Sequence, residues 1–115
     1  MMNEEIKSIL GDAITVDGAL VPAAHLRYKG KSKTFVVWSV LGSKPILSGD
    51  DEPLYSVTSV DINVYSEGNY LNVITELKRI MKENEWLWVE DSPEMYEDDT
   101  GLYHIAITFE KERTL

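Results

Sequence analysis

The sequence predicts an α+β fold: one two-layer domain with a mainly antiparallel four-stranded sheet and two helices packed on one face of it. Apolar residues recur at helical spacing between residues 70 and 82 and alternate with polar residues between residues 102 and 110. The segments free of glycine and proline follow the order helix, strand, strand, helix, strand, strand. With 115 residues and 43% apolar composition, residues 1–115 form a single domain.

The second helix has the clearest pattern, because its apolar residues fall on one face and its charged residues fill the other. This stripe consists of Val73, Ile74, Leu77, Ile80 and Met81. Ser66 or Asn69 would cap the start of the helix. A shorter first helix carries Ile6, Ile9 and Leu10 on one face. Two or three turns are marginal alone, so this helix must dock on the rest of the domain.

The four predicted strands cover residues 34–41, 54–65, 86–90 and 102–110. The first, TFVVWSVL, is apolar at nearly every position, which predicts burial on both faces. In the second, Val60, Ile62 and Val64 share one face. The third places Trp86 and Trp88 on one face, where we expect a core or subunit-interface position.

Two segments have the composition of loops. Residues 42–53 contain glycine, proline and aspartate, and their length predicts a mobile loop that contacts a partner. The candidate contact residues are Gly42, Ser43, Lys44, Pro45, Gly49, Asp50 and Asp51. Residues 91–100 form a second loop, which is acidic. The alternating cations of residues 27–33 are typical of a solvated loop or an edge strand, where lysine discourages unwanted pairing.

The charge of the chain limits its partners. A net charge of -9 and an isoelectric point near 4.6 repel phosphate backbones, so sequence-specific nucleic-acid binding is not expected. Solubility explains this acidity, and so would a surface that lets DNA pass without adhering. The sequence has no apolar run long enough for a transmembrane helix. Its start lacks the pattern of a signal peptide, which predicts a protein kept in the cytoplasm until assembly.

The residue types needed for catalysis are not combined in any known pattern. The chain has no cysteine, which excludes disulfides and thiolate metal sites. His25 and His104 are far apart, and no serine lies in a G-x-S-x-G turn. The acidic segments lack the D-x-D-x-D-G spacing of a calcium loop. We therefore predict no catalytic residues, no cofactor site and no metal site, and a protein that is not an enzyme.

The segment YEDDTGLYH, which begins at Tyr96, resembles a signature of the tail-completion or tail-terminator proteins of long-tailed bacteriophages. The similarity covers residues 55–110, from the strand VDINVYSEGNY through the main helix to this segment and the last strand. The signature residues are Tyr96, Asp99, Thr100, Gly101, Leu102, Tyr103 and His104.

The resemblance implies a structural role. Proteins of this kind form a ring, often a hexamer, at the end of the tail tube that meets the capsid. The ring stops tube growth and presents a face to the head connector. The implied partners are further copies of this chain, the tail-tube protein and the head-connector protein, with DNA only passing through the ring. The implied source is a phage or prophage, and the implied location is the virion tail, assembled in the host bacterial cytoplasm.

A different class of function stays open beside this one. The chain could be a stand-alone α+β ligand-binding or regulatory domain without catalysis, with Trp86 and Trp88 near a pocket. A pocket buried within the monomer, away from subunit contacts, would favour that alternative.

Overall fold

The computed structural model describes residues 2–11, 13–47 and 53–114. The elements in chain order are α1 (Met2–Leu10), β1 (Thr15–Val16), β2 (Ala19–Leu20), β3 (Ala23–His25), β4 (Thr34–Leu47), β5 (Pro53–Ser66), α2 (Leu71–Glu83), β6 (Leu87–Asp91), β7 (Met95–Glu97) and β8 (Leu102–Thr114). Both predicted helices are present, and α2 matches the predicted range of residues 70–82 to within one residue at each end.

A six-stranded sheet forms one layer of the domain, in the order β3-β4-β5-β8-β6, with β7 also paired to β8. Neighbouring strands are antiparallel except β3 and β4, which run parallel. The α+β class and the mainly antiparallel pairing agree with the prediction, but the predicted number of four strands was too small. The two strands that were missed, β3 and β7, have three residues each, which is too short for an alternating pattern to be visible.

Both helices pack on the same face of the sheet and enclose a continuous core. The predicted stripe of α2 is buried, and its Leu77 and Met81 are fully inaccessible. In the sheet, Ile62 of β5 lies in register between Trp38 of β4 and Ile107 of β8, and all three side chains are buried. Burial of these large apolar side chains is the main source of stability in a chain without disulfides.

No helix among the described residues covers the other face of the sheet, and we call it the open face. It carries Phe35 and Val37 of β4, Asn63 and Tyr65 of β5, and His104 of β8, all of which are half-buried. The prediction that β4 is buried on both faces was therefore wrong. Its apolar residues on the open face are shielded by neighbouring side chains of the same sheet instead of by a second layer.

The hairpin of β4 and β5 is much longer than predicted. Each strand has 14 residues, so much of the predicted loop at residues 42–53 is strand. Residues 42–47, 53–59 and 110–114 form a three-stranded extension that we call the arm. A β-bulge at Leu41 precedes the arm in β4. At about 3.3 Å per residue these strands reach roughly 46 Å, which accounts for most of the 52 Å length of the molecule.

Local signals explain two of the connections. Asp17 and Gly18 both have positive φ and join β1 to β2, as expected for a two-residue hairpin turn. At the start of α2 the N-cap is Tyr70, whose side chain makes no capping hydrogen bond. Asn69, one of the two predicted caps, instead accepts the N–H of Leu71 at 3.2 Å through its side-chain oxygen.

Candidate functional site

The signature residues form a tight hairpin between β7 and β8. The N–H of Gly101 donates to the carbonyl oxygen of Glu97 at 2.8 Å, and Gly101 has φ +72°, a conformation that favours glycine. The hydroxyl of Thr100 donates to Glu97 Oε1 at 3.0 Å, and Thr100 Oγ1 accepts the N–H of Leu102 at 3.3 Å. The predicted acidic loop at residues 91–100 therefore contains strand β7, and its end is an ordered turn.

Two aromatic signature residues pack on opposite sides of this hairpin. Tyr103 lies against Tyr96, with ring centroids 5.1 Å apart, and against Tyr70 at the start of α2, at 6.1 Å. His104 lies on the open face, where its Nε2 is 2.7 Å from Oδ1 of Asn63. The signature thus joins the hairpin to the start of the main helix on one side and to the middle of the sheet on the other.

Four rings form a stacked row across the open face. Tyr28 stacks on Phe35 at 4.3 Å, Phe35 on Tyr65 at 4.9 Å, and Tyr65 on His104 at 4.2 Å between ring centroids. Burial lowers the pKa of His104, with the nearby Glu97 acting in the opposite direction. Burial also raises the pKa of Tyr65, and the charge of Glu97 adds to that effect. His104 is therefore neutral near pH 7 and contributes to the open face as an aromatic ring.

The strands β6 and β7 form one interrupted edge strand along β8, which we call the β6–β7 edge. Ser92 bridges the interruption, since its N–H donates to the Ala106 carbonyl at 2.7 Å and its hydroxyl oxygen accepts the Ala106 N–H at 2.9 Å. All five residues of β6 are exposed. The large apolar side chains exposed on this edge are Leu87, Trp88, Val89, Met95 and Tyr96. An edge strand with unpaired backbone groups and this much apolar surface is suited to contact another protein.

The two tryptophans predicted to share a strand face have different environments. Trp86 precedes β6 and is buried, whereas Trp88 is 52% exposed. The residue before Trp86, Glu85, has φ +68°, so the chain bends immediately before the segment predicted as a strand. The indole N–H of Trp88 donates to Asp91 Oδ1 at 2.8 Å, and the Lys78 ammonium lies 4.0 Å from its ring centroid. Trp86 belongs to the core, and Trp88 belongs to the edge.

The predicted partner-contact loop lies mostly in the arm. Gly42, Ser43, Lys44 and Pro45 are exposed residues of strand β4, not of a loop. Their backbone pairs with β5, and the hydroxyls of Ser43 and Thr58 are 2.6 Å apart. The remaining members of the prediction, Gly49, Asp50 and Asp51, lie outside the described residues.

The surroundings of the two histidines contain no hydrolytic arrangement within the described part of the chain. His104 contacts Asn63 and Tyr65, and His25 stacks on Trp38 with centroids 4.2 Å apart. No hydrogen bond among residues 2–11, 13–47 and 53–114 joins either histidine to a serine. These residues also contain no cluster of three or more metal-binding side chains. Neither of the two described helices is long and apolar enough to cross a bilayer.

A surface depression of about 370 Å³ lies between α1 and β3. Its lining includes Glu4 and Lys7 from α1 and the stacked His25 and Trp38. The depression has two charged side chains and an aromatic wall, so it could hold a small polar ligand, but it opens to solvent and is not enclosed in the core.

Comparison with known proteins identifies no family model and no curated sequence that matches this chain. The resemblance to tail-completion proteins therefore stays a prediction from the motifs in residues 55–110.

Proposed function

We propose that this protein is a structural component of a phage virion. It assembles into an oligomeric ring, caps the head-proximal end of the tail tube and joins the tube to the head connector. The resemblance of residues 55–110 to tail-completion proteins supplies the biological role. The exposed β6–β7 edge supports the assembly that this role requires.

The β6–β7 edge is the observation that carries the proposal. Five of its large apolar or aromatic side chains are between 41% and 64% exposed, and they lie on strands that pair with β8 on one side and with no other described strand. The edge also carries Pro93 and exposed carboxylates, which discourage backbone pairing, so its exposed apolar side chains carry the argument. Apolar surface of this kind gains stability when another protein covers it.

The other features of the fold agree with a role in assembly. The arm extends from the body of the domain and offers paired, partly polar strands to a partner. The open face offers a row of aromatic rings without a covering layer. The net charge of -9 favours a lumen through which DNA moves without adhering.

The test compares two leucines that are equally exposed. Leu87 on the β6–β7 edge and Leu71 at the start of α2 are each 64% exposed. Leu87→Gln is expected to weaken self-association and the capping of tail tubes, because it removes apolar surface from the contact. Leu71→Gln serves as the control and is expected to leave both unchanged.

Sedimentation equilibrium gives the assembly state, and electron microscopy of tubes grown from tail-tube protein gives tube length and the presence of a terminal ring. The proposal predicts shorter tubes with one capped end when the wild-type protein is present. A wild-type protein that stays monomeric and leaves tube growth unchanged contradicts it.

The alternative function is binding of a small ligand, and the depression beside His25 and Trp38 is the observation that favours it. Trp86 and Trp88 do not support this alternative, since one is buried in the core and the other lies on the sheet edge. Saturable binding of a small polar molecule that His25→Ala abolishes, together with a monomeric mass, would favour ligand binding over assembly.

A further inference from the structure

The two lateral edges of the sheet have opposite charges. At the β3 edge, the connection to β4 carries four exposed cations, Arg27, Lys29, Lys31 and Lys33. None of them belongs to an ion pair among the described residues. They are four of only 11 cationic residues in a chain of net charge -9, so this edge differs strongly from the rest of the surface.

The β6–β7 edge is acidic between and after its apolar residues. Exposed carboxylates at this edge are Glu90, Asp91, Glu94, Asp98 and Asp99. Of these, only Asp91 forms an ion pair among the described residues, with Lys78 at 3.1 Å. Glu94 accepts a hydrogen bond from the Tyr70 hydroxyl, and Glu90, Asp98 and Asp99 are exposed to a cationic partner surface.

The basic edge also has an exposed apolar side chain. Leu26 follows β3 and is 66% exposed, the largest value among the exposed large apolar residues of the described chain. Its φ is +66°, which is costly for a leucine, and its N–H donates to the Trp38 carbonyl at 2.9 Å. The fold thus holds Leu26 in a strained conformation that exposes it beside the four cations. The basic edge is therefore opposite in charge to the β6–β7 edge, and both edges have apolar surface that a partner could bury.

From these edges we infer that copies of this chain associate head to tail: the β6–β7 edge of one protomer binds the basic edge, residues 26–33, of the next. This inference rests on the proposed assembly and specifies its surfaces. A symmetric contact of the β6–β7 edge with itself would place like charges together, which disfavours it. A head-to-tail contact uses two different surfaces on each protomer and closes into a ring when the rotation between protomers divides a full turn.

The directions of the strands are compatible with this contact. Strand β6 is antiparallel to β8 and runs opposite to β3 in the same sheet. When the sheet continues from one protomer to the next in the same orientation, β6 therefore lies antiparallel to the neighbouring β3. Antiparallel neighbours form well-aligned backbone hydrogen bonds.

Carbodiimide coupling of the wild-type protein tests which surfaces meet, since it joins amines to carboxylates only when they are in contact. Within one protomer the two edges are separated by four strand spacings, or about 19 Å, so coupling between them is not possible there. An equal mixture of ordinary and ¹⁵N-labelled protein identifies intermolecular products by mass spectrometry. We expect products that join Lys29, Lys31 or Lys33 to carboxylates in residues 90–99. Intermolecular products that lack this pairing overturn the inference.

Charge reversal tests the direction of the contact. The basic-edge variant is Lys29→Glu with Lys31→Glu, and the acidic-edge variant is Glu90→Lys with Asp98→Lys. Each variant alone places like charges in every contact and is expected to raise the dissociation constant about tenfold or more. An equimolar mixture restores an opposite pair at every contact of an alternating ring, so assembly should return. If the charges act only through the net charge of the protein, the acidic-edge variant alone should assemble better than the wild type, because its net charge is less negative; weaker assembly of that variant supports the contact.

Two control variants separate contact from net charge and from backbone strain. Lys44→Glu with Lys82→Glu changes the net charge as the basic-edge variant does, but at exposed sites in the arm and on α2, and should leave self-association closer to wild type. Leu26→Gly relieves the positive φ and removes the exposed side chain. It should leave the monomer at least as stable to urea while weakening assembly. Equal assembly of wild type and Leu26→Gly contradicts a role for this residue.

The outcomes distinguish the inference from the proposed function. A protein that forms rings and caps tubes, but shows no coupling between the edges and no recovery in the mixture, overturns the head-to-tail contact and leaves the proposed function intact. A protein that remains monomeric and does not affect tubes overturns both.

Discussion

Leu77 and Leu71 are on the same helix, but they have opposite environments. Leu77 is fully buried against the sheet, and Leu71 is 64% exposed at the first turn. Leu77→Ala should lower the free energy of unfolding by about 2–5 kcal/mol, because it removes apolar contacts and leaves a cavity. Leu71→Ala should change it by less than about 0.5 kcal/mol. Urea denaturation followed by far-ultraviolet circular dichroism measures both. Equal effects would show that α2 does not pack as described.

The free energy of unfolding depends on pH through His104. Its pKa in the folded protein is below the ordinary value of 6.5, chiefly because the ring is partly buried. As the pH falls below 6.5, the unfolded chain takes up this proton before the folded chain does, so the free energy of unfolding decreases. Above that pH both states are neutral at this position and the contribution is constant.

His104→Gln should therefore lose less stability than the wild type between about pH 7.5 and about pH 5.5. Glutamine keeps a polar group near Asn63 and cannot titrate. Urea denaturation at a series of pH values measures the difference, and nuclear magnetic resonance titration of the wild type gives the pKa directly. A His104 pKa above 6.5 would contradict the expected direction.

At the scale of elements, the hairpin of β4 and β5 is the most informative unit. Its strands pair from Thr34 with Ser66 outward to Leu47 with Pro53. Its inner half packs against the helices, where Val36 and Trp38 are buried. In the outer half, Leu41 to Pro45 of β4 are exposed, whereas Val57 and Thr58 of β5 are buried. The outer half therefore contributes surface through β4.

Replacement of residues 48–52 by Asn-Gly should keep the fold and impair the joining of tails to heads. The flanking strands are already paired at Leu47 and Pro53, and Asn-Gly suits a two-residue hairpin turn. Circular dichroism and the midpoint of thermal unfolding should be close to those of the wild type. Complementation of a phage that lacks the protein then measures joining. A large loss of thermal stability would show that this segment supports the core.

At the scale of the whole molecule, charge acts in two opposing ways. The net charge of -9 makes protomers repel one another, while the basic residues 27–33 attract the acidic β6–β7 edge of a neighbour. Added salt screens both interactions, so a salt series alone does not separate them. Comparison of variants at one ionic strength does separate them, which is why the basic-edge variant has a control with the same net charge. The surface is therefore better described by where its charges lie than by their sum.

Elements whose buried face repeats along the chain could be predicted from the sequence alone. The stripe of α2 and the alternation of Ile105, Ile107 and Phe109 in β8 were predicted, because a residue on a buried face must be apolar at each repeat. The turn at Asp17 and Gly18 follows from local conformational preference, since both residue types tolerate positive φ. The signature at Tyr96–His104 was visible in sequence, but its form as a hairpin was not.

Which surfaces remain exposed could not be predicted from the sequence, because exposure depends on how the elements pack together. The parallel pairing of β3 with β4 depends on contacts between distant residues, and three residues carry no period. Trp86 and Trp88 have the spacing of a same-face pair, yet Trp86 is buried in the core and Trp88, on the edge strand β6, is 52% exposed. The opposite charges of the two sheet edges follow from strand order. Sequence periodicity shows which face of a helix or strand is buried, whereas strand order is set by the packing of the whole chain.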